Sequence, residues 1–560
     1  MKRKGFTLIE LLAVIVILAI IALIATPMIL GVIDSAKKGA AESSTYGYVD
    51  AIEKSDLQSM INTGNYTARA DGTYDLSTLT NVNYKGKSPT AVCVVIEKGI
   101  VESGSFQFDK YIVDYKDGKA KVNSEKTEVD CEPTTPPEEI VFDEAKGVNK
   151  PQLSEGMIPI KWDSNNNEIE TTRDDPEWYD YNNKLWANVK TEDESYWVWI
   201  PRYAYKITSG YHSSTTGSID VKFLKGTSDI TVDDTTIETN GYLAGTKDTS
   251  MQYFTHPAFQ NDINELGYWV AKFEPTAAEG VANGYYSDWA CPVAGDNVST
   301  KTIKVVPNVN SWRCMTISNA YKASVAMATK KDGSNNSYYG WNESSVDTHM
   351  ATNLEWGAIY YLTLSTYGAN TNEVYINNNQ NYTAGCAGDI ASAAASTTCN
   401  NPYNSETGVK ASSTWNITGV YDMSGGSWER TMADYNNLLG SSGFIDDEYN
   451  NIPSYHITKY TTPTANLLNN IGMDYDATVY GDGIYETSAE ANRYNGTVWS
   501  GTDQGGWSTE HSYLPYATRS WFSRGAHFSH TSIAGLGGFG STDGGAYSNN
   551  SFRPVVSIIK

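Results

Sequence analysis

The segment KGFTLIELLAVIVILAIIALIATPMIL, residues 4–30, sets the architecture of the whole chain. It follows the basic leader MKRK and carries a single carboxylate, Glu10, ahead of an uncharged run that ends at Asp34. A helix over residues 11–33 would rise about 35 Å at about 1.5 Å per residue, which is enough to cross a bilayer. Because a carboxylate in hydrocarbon is costly and is usually kept for a function, Glu10 needs an explanation.

Two ordinary explanations of this segment leave its carboxylate unexplained. A cleaved secretory signal is disfavoured, because the apolar run is too long and its alanines offer no A-x-A cleavage site. A plain membrane anchor has the right length, and the positive-inside rule would keep MKRK in the cytoplasm and the bulk of the chain outside. That anchor accounts for neither Glu10 nor the Gly5-Phe6 junction.

Residues 4–10, KGFTLIE, resemble the type IV prepilin signature of pilins and type II secretion pseudopilins. The resemblance implies that a prepilin peptidase cuts between Gly5 and Phe6, that Phe6 becomes the N-methylated first residue, and that the subunit assembles with other pilin or pseudopilin subunits. It also implies that Glu10 pairs with the terminal ammonium of an adjacent subunit. Opposite charges in a low-dielectric bundle are each costly alone and much less costly together. An anchor with a chance interfacial glutamate is the alternative.

The first part of the chain is predicted to be a leader, 1–5, a transmembrane and assembly helix, 6–33, and a pilin-like helix with a small sheet, 34–131. Pro27 removes a backbone donor and predicts a kink or a local opening of the helix. We expect the subunit first in the inner (cytoplasmic) membrane, single-pass with its N-terminus inside, and then at the cell surface or in a filament.

Composition bounds the rest of the chain. With 560 residues, several domains are expected. A net charge of −24 makes nucleic acid an unsuitable partner. The chain is rich in Tyr (39) and Trp (15) and poor in Lys and Arg, which favours an extracellular protein built from strands and loops.

The six cysteines fall into three pairs of sequence neighbours and contain no C-x-x-C motif, so a zinc knuckle is disfavoured. Given export, three local disulfides are predicted. The pairs are Cys93 with Cys131, Cys291 with Cys314, and Cys386 with Cys399.

Residues 62–131 are predicted to form a small antiparallel sheet against the long helix. Strand-like runs cover 91–96, 106–115 and the neighbourhood of 119–122, with glycine-containing turn signals between them. The Pro- and Glu-rich stretch that follows predicts an extended linker over 132–150.

The large remainder, residues 151–560, carries ordered motifs: YWVWIPRYAYKI at 196–207, GVYDMSGGSWERTMADY at 419–435, RSWFSRGAHF at 519–528 and SFRPVVSI at 551–558. This series resembles the formylglycine-generating-enzyme-like (sulfatase-modifying-factor) domain, a branch of the C-type lectin fold. The resemblance implies an α+β fold class for the chain, with a large loop-rich second domain whose first and last strands lie side by side. One departure is Gly426-Ser427, where the family usually has Asn-Val.

Catalysis by this domain is disfavoured, so we expect no enzyme. The oxidase members of the family use a late cysteine pair, and this chain has no cysteine after Cys399. Iron-dependent members need a histidine cluster, whereas His527 and His530 have no clear third ligand, so no metal is predicted there. No G-x-S-x-G elbow supports a Ser-His-Asp site.

The candidate ligand face is formed by Trp521, His527, His530 and Tyr547, and the predicted ligand is an extracellular glycan or protein. The alternative for Trp521 is core packing, since aromatic rings fill loop-rich interiors. No cofactor is expected. The acidic run 446–448 has hard oxygen ligands suited to calcium, although a solvated acidic turn is the favoured interpretation.

Three functions from different classes follow. The chain is a structural pilin-like subunit, or that subunit with an adhesin-like binding head, or a membrane-anchored extracellular enzyme of the sulfatase-modifying-factor type. The prepilin signature favours the first, and the second extends it.

Overall fold

The structure, a computed structural model, describes residues 8–63, 72–76, 79, 82–97, 100–116, 118–124, 126–129, 141–235, 237, 250, 252–281, 290–291, 294–461, 479–489, 491, 493–494 and 499–559. The chain divides into two compact units, residues 1–140 and 141–560. A long N-terminal helix and a small antiparallel sheet belong to the first unit, and a large β-rich fold forms the second. The predicted α+β class is therefore confirmed.

The first unit contains one helix and a five-stranded antiparallel sheet with strands in chain order. Its elements are α1 (Leu8–Thr63), β1 (Gly72–Asp75), β2 (Ala91–Glu97), β3 (Ile100–Phe108), β4 (Tyr111–Lys116) and β5 (Lys119–Asn123). The backbone of α1 stays helical through Pro27, so the predicted local opening is not found.

One face of α1 packs on this sheet. Ala41, Thr45, Tyr48, Val49 and Ile52 are buried, and their spacing of three or four residues places them on one side of the helix. They meet buried side chains of the sheet, among them Val92, Val94, Phe106 and Val113. Apolar burial therefore joins helix and sheet into one unit.

Two side chains of α1 also bind the edge of the sheet. Glu42 Oε1 accepts from the backbone N–H of Val122 (2.9 Å), and the Tyr46 hydroxyl accepts from that of Ala120 (2.9 Å). Strand β5 lies at the sheet edge, where N–H groups are open to pairing with another chain. The helix covers part of that edge.

The single strand predicted over 106–115 is wrong. The structure has a β3–β4 hairpin there, and Asp109 in its turn has φ 53°. Aspartate tolerates this left-handed conformation better than most residues. The predicted strand thus contained a two-residue turn, Asp109-Lys110.

The N-terminal part of α1 exposes large apolar side chains from Leu8 to Ile33. Leu8, Leu12 and Leu23 leave 82%, 64% and 77% of their surface exposed. Within the described residues, no helix combines the length and the apolar character needed to cross a membrane.

The second unit contains most of the strands. Its helices and strands are β6 (Phe142–Asp143), β7 (Val148–Asn149), β8 (Ile158–Trp162), β9 (Glu168–Glu170), β10 (Asn188–Lys190), β11 (Tyr196–Pro201), β12 (Tyr203–Ser209), β13 (Ser218–Phe223), β14 (Phe254–Thr255), β15 (Gly267–Ala271), β16 (Thr276–Ala277), β17 (Ile303–Lys304), α2 (Ile317–Val325), β18 (Val346–Met350), α3 (Asn353–Leu364), β19 (Cys386–Ala387), β20 (Asn401–Pro402), β21 (Trp428–Tyr435), α4 (Asp446–Asn450), β22 (Thr458–Tyr460), β23 (Arg493–Tyr494), β24 (Trp499–Ser500), β25 (Trp521–Arg524), β26 (Phe539–Thr542), β27 (Asn550–Phe552) and β28 (Pro554–Ile558).

Two sheets organise this unit. One has seven strands in the order β18-β28-β15-β11-β10-β8-β9, and the other runs β22-β21-β25-β26 with β27 paired to β21. Strand β28 lies between β18 and β15, so the opening strand β11 is not its neighbour. The expectation that first and last strands lie side by side is wrong, because the fully buried apolar strand β15 lies between them.

The buried side chain of Arg553 contacts both sheets, at Glu429 of β21 and Ala271 of β15. Its guanidinium forms a bidentate pair with the carboxylate of Glu429, and it also donates to the carbonyls of Ala271 (2.6 Å) and Tyr421 (2.9 Å). Both charged side chains are 1% exposed. A buried pair whose remaining hydrogen-bonding groups are satisfied orders the segments around it.

The predicted linker 132–150 is folded over its second half. Strands β6 and β7 form a hairpin, in which Val148 and Asn149 are fully buried. Asn149 Nδ2 donates to the carbonyls of Gly226 (3.0 Å) and Leu266 (3.2 Å). Residues 141–150 therefore belong to the second unit, and residues 132–140 lie outside the described residues.

Disulfides join Cys291 to Cys314 and Cys386 to Cys399. Cys93 is also disulfide-bonded. The predicted partner of Cys93, Cys131, lies outside the described residues.

Candidate functional site

The residues of the predicted processing site can be placed only in part. Gly5 and Phe6 lie outside the described residues. The backbone of Glu10 belongs to α1, and its side chain is outside the described part. The assembly role of Glu10 therefore stays a prediction.

A cavity of about 530 Å³ lies in the second unit, against the sheet that contains β21, β25 and β26. It is the candidate binding site of the head. Its lining is rich in aromatic rings, amides and hydroxyls: Trp428, His511, Tyr513, Arg519, Ser523, His530, Gly540, Ser541, Thr542, Asp543, Tyr547, Asn549 and Asn550.

Two of the four predicted ligand-face residues line this cavity, and a third is packed against one of them. His530 and Tyr547 line it, and His527 is buried behind His530 with ring centroids 4.2 Å apart. Trp521 is fully buried, because the ring of Phe444 stacks on it (5.9 Å) and Nε1 donates to a loop carbonyl. The ligand-face prediction for Trp521 is wrong, and its alternative, core packing, is correct.

A third histidine joins the pair that the sequence singled out. His511 lies 4.8 Å from His530 between ring centroids, and Trp428 packs edge-on against both, at 5.1 and 5.3 Å. His511 stands in a different sequence segment and shares no motif with His527, so no sequence pattern points to it.

All three histidines are neutral at pH 7. Burial lowers the pKa of His511 to about 3 and that of His530 to about 4, because the charged imidazolium loses its hydration. Burial also lowers the pKa of His527 to about 2, and the neighbouring histidines lower it further. Each ring therefore offers one donor and one acceptor rather than a charge.

Two buried polar atoms of the lining have no hydrogen-bond partner among the described residues: His511 Nδ1 and Asn549 Oδ1. Buried polar groups are nearly always bonded, so these two atoms are exceptions beside the cavity, and neither is reached by solvent. Tyr547 stands nearby and donates its hydroxyl to Asp543 Oδ2 at 3.1 Å.

The cavity wall depends on one close approach between strand and ring. A Cβ added to Gly540 of β26 would lie 3.0 Å from the indole of Trp428. Only glycine lets the indole lie this close to the strand without a shift. The Trp428 ring thus forms one side of the cavity, and Arg519 contributes an exposed cation to its lining.

The acidic run considered for calcium forms the first turn of α4. Asp446 and Asp447 are exposed, whereas Glu448 binds Lys322 Nζ through both oxygens, at 2.8 and 2.9 Å. Within the described residues, the group that brings three possible metal ligands together lies elsewhere, at Asp347, His349 and His456.

Among known protein families, one matches the N-terminal residues of the chain. The family model described as the prokaryotic N-terminal methylation motif matches residues 1–26. No curated protein matches the chain. The motif supports a processed surface protein of the type IV pilin or pseudopilin kind, and it implies processing by prepilin peptidase and assembly with other pilins.

Proposed function

We propose that this protein is a type IV pilin-like or pseudopilin-like subunit whose second unit is a ligand-binding, adhesin-like head. The observation that carries the proposal is the methylation motif at residues 1–26, which leads directly into α1. The adhesin part rests on the cavity and on the lectin-like sequence motifs of the second unit.

The exposed apolar part of α1 supports the assembly role. Large side chains from Leu8 to Ile33 are exposed, and their positions run around the whole helix. A helix that is apolar on all sides needs apolar surroundings. In the proposed function the bilayer supplies them before assembly, in a single pass with the N-terminus inside, and neighbouring subunit helices supply them afterwards.

Mass spectrometry of surface material tests the processing. We expect a chain that begins at Phe6 and carries one added methyl group. A chain that keeps MKRKG, or one cut near Ala25, would contradict the pilin-like assignment.

The Glu10→Ala variant tests assembly separately. It should remain cleaved and membrane-inserted but enter filaments poorly, because the terminal ammonium of its neighbour loses its partner charge. The matched control is Glu53→Ala, which removes a carboxylate from the same helix in the folded unit. Equal incorporation of both variants would exclude the proposed role of Glu10.

The cavity chemistry fits a glycan or a polar surface of a protein. Aromatic rings at Trp428 and Tyr547 can stack on apolar faces of a ligand, while neutral histidines and amides supply donors and acceptors. The lining offers one exposed cation, Arg519, so a mildly anionic ligand is also accommodated. We propose binding without catalysis, because the late cysteine pair of the oxidase relatives is missing.

A binding screen of the second unit, residues 141–560, against glycans and surface proteins tests the head. For the best ligand, Tyr547→Ala should weaken binding about tenfold, which corresponds to about 1.4 kcal/mol. Tyr455→Ala is the matched control, a partly exposed tyrosine in another cleft. If both variants bind as well as the parent, the 530 Å³ cavity is not the ligand site.

A further inference from the structure

We propose that Asp347, His349 and His456 form a binding site for a divalent transition-metal ion of the zinc type. This site is separate from the cavity of the proposed function and departs from the expectation that no metal is bound. Its three ligand atoms lie within 4.8 Å of one another.

Local structure brings the three side chains together. Asp347 and His349 are two residues apart on β18, so both side chains project from the same face of the strand. His456 closes a single helical turn, Ser454–His456, and its ring stacks on that of His349 with centroids 4.4 Å apart. Two segments more than a hundred residues apart thus meet at one point.

The ligand atoms surround the carboxylate oxygen of Asp347. His349 Nδ1 lies 2.7 Å and His456 Nε2 lies 2.8 Å from Asp347 Oδ1. Tetrahedral zinc with bonds of about 2.0–2.1 Å separates its ligand atoms by about 3.3 Å. To take the ion, each nitrogen would move about half an ångström away from Asp347 Oδ1, and any two ligand atoms farther apart than about 3.3 Å would move closer, since the three lie within 4.8 Å of one another.

In each histidine, the ring nitrogen that would not bind the metal already has a hydrogen-bond partner. His349 Nε2 lies 2.9 Å from Glu355 Oε1, and His456 Nδ1 lies 2.9 Å from the hydroxyl of Tyr321. Metal-ligating histidines almost always bond their second nitrogen to a carboxylate or another acceptor, which fixes the ring and raises its basicity. Both rings have that second contact.

Glu355 is itself held in place. Its side chain closes the capping box of α3 with Thr352, and Asn264 Nδ2 donates to it at 2.9 Å. The carboxylate therefore keeps its position whether or not an ion is bound. Such fixed support is what a tight metal site needs.

The donor set selects the kind of ion. Two imidazoles and one carboxylate favour zinc and its first-row neighbours, whereas calcium and magnesium prefer oxygen ligands alone. Both histidines are almost fully buried, and the Asp347 side chain is 17% exposed. Solvent therefore reaches the site at the carboxylate, where an ion can enter and a water can complete the coordination.

Metal titration of the full-length chain in detergent, stripped with EDTA, tests the site. Co²⁺ should bind with one equivalent and a tetrahedral visible spectrum, and Zn²⁺ should displace it while millimolar Ca²⁺ should not. Asp347→Asn should weaken Zn²⁺ binding at least about a hundredfold, since it removes the charged ligand. Tyr321→Phe, which keeps the ring, should weaken it about tenfold through the loss of outer support.

The matched control is His530→Gln, which removes a histidine from the other cluster and should leave the affinity unchanged. Tryptophan fluorescence checks that each variant is folded, and if Asp347→Asn is not, Tyr321→Phe decides. No binding by the parent chain would overturn the proposal. Affinity that is insensitive to the Asp347 and Tyr321 changes, or that is lost with His530, would overturn it as well.

Discussion

His511 gives the second unit a specific sensitivity to acid. Its pKa falls from 6.5 to about 3 on folding, so between these values the unfolded chain binds more protons than the folded one. The contribution of His511 to the free energy of unfolding is complete above pH 6.5. It is lost as the pH falls toward 3, by on the order of 1 kcal/mol per pH unit.

We predict that His511→Phe flattens this dependence. Urea unfolding of the second unit at a series of pH values from 7 to 4 measures it, and carboxylates common to both proteins cancel in the difference. Tyr513→Phe, at the ring stacked on His511 (4.5 Å), is the control and should follow the parent. Parallel curves for the parent and His511→Phe would show that the histidine is not held neutral.

The long-range contacts of single residues could not be predicted from the sequence. The motif at 551–558 places Arg553 next to a terminal strand, but its pair with Glu429, 124 residues earlier in the chain, is visible only in the structure. Asp422 accepts from the backbone N–H groups of Gly385 and Glu274, which lie far away in the chain. The backbone N–H groups that reach the Asp422 carboxylate are brought there by the paths of distant loops. A local sequence pattern does not predict those paths.

At the scale of elements, α1 stabilises its sheet mainly by apolar contact. Ile52 is fully buried against that sheet. We predict that Ile52→Ala lowers the free energy of opening of this unit by about 2–5 kcal/mol, because it leaves a cavity in a small core. Amide hydrogen exchange of β3 and β4, followed by mass spectrometry, measures the loss.

Lys54→Ala is the control on the same helix. Its side chain is 68% exposed and pairs with Asp50 on the surface, so the change should stay within about 0.5 kcal/mol. Unaltered exchange in Ile52→Ala would mean that the helix does not stabilise the sheet.

Elements were predictable where periodicity or turn signals were strong. The long apolar helix and strands near 91–96 and 119–122 follow from such patterns, and β2 and β5 occupy those places. The β3–β4 hairpin was missed because its turn, Asp109-Lys110, contains neither Gly nor Pro. The pairing order of the seven-stranded sheet was also beyond prediction, since it joins strands separated by hundreds of residues.

For the whole molecule, size favours a minor position in a filament. The second unit has about three times as many residues as the first. In the proposed function the first unit lines a shaft in which helices pack tightly, so a large head at every position would compete for lateral space. We predict that immunogold labelling against the second unit marks filament ends or sparse points. Dense, regular label along the shaft would contradict this.

The central place of β28 has a consequence for export. This strand, residues 554–558, pairs with β18 on one side and β15 on the other, so it completes the middle of the largest sheet. In the proposed function the N-terminus stays inside and the chain behind α1 crosses the membrane in order, so the sheet cannot close until residues 554–558 have crossed. On that proposal the second unit would cross the membrane unfolded and complete its fold only on the outer side, where disulfides also form.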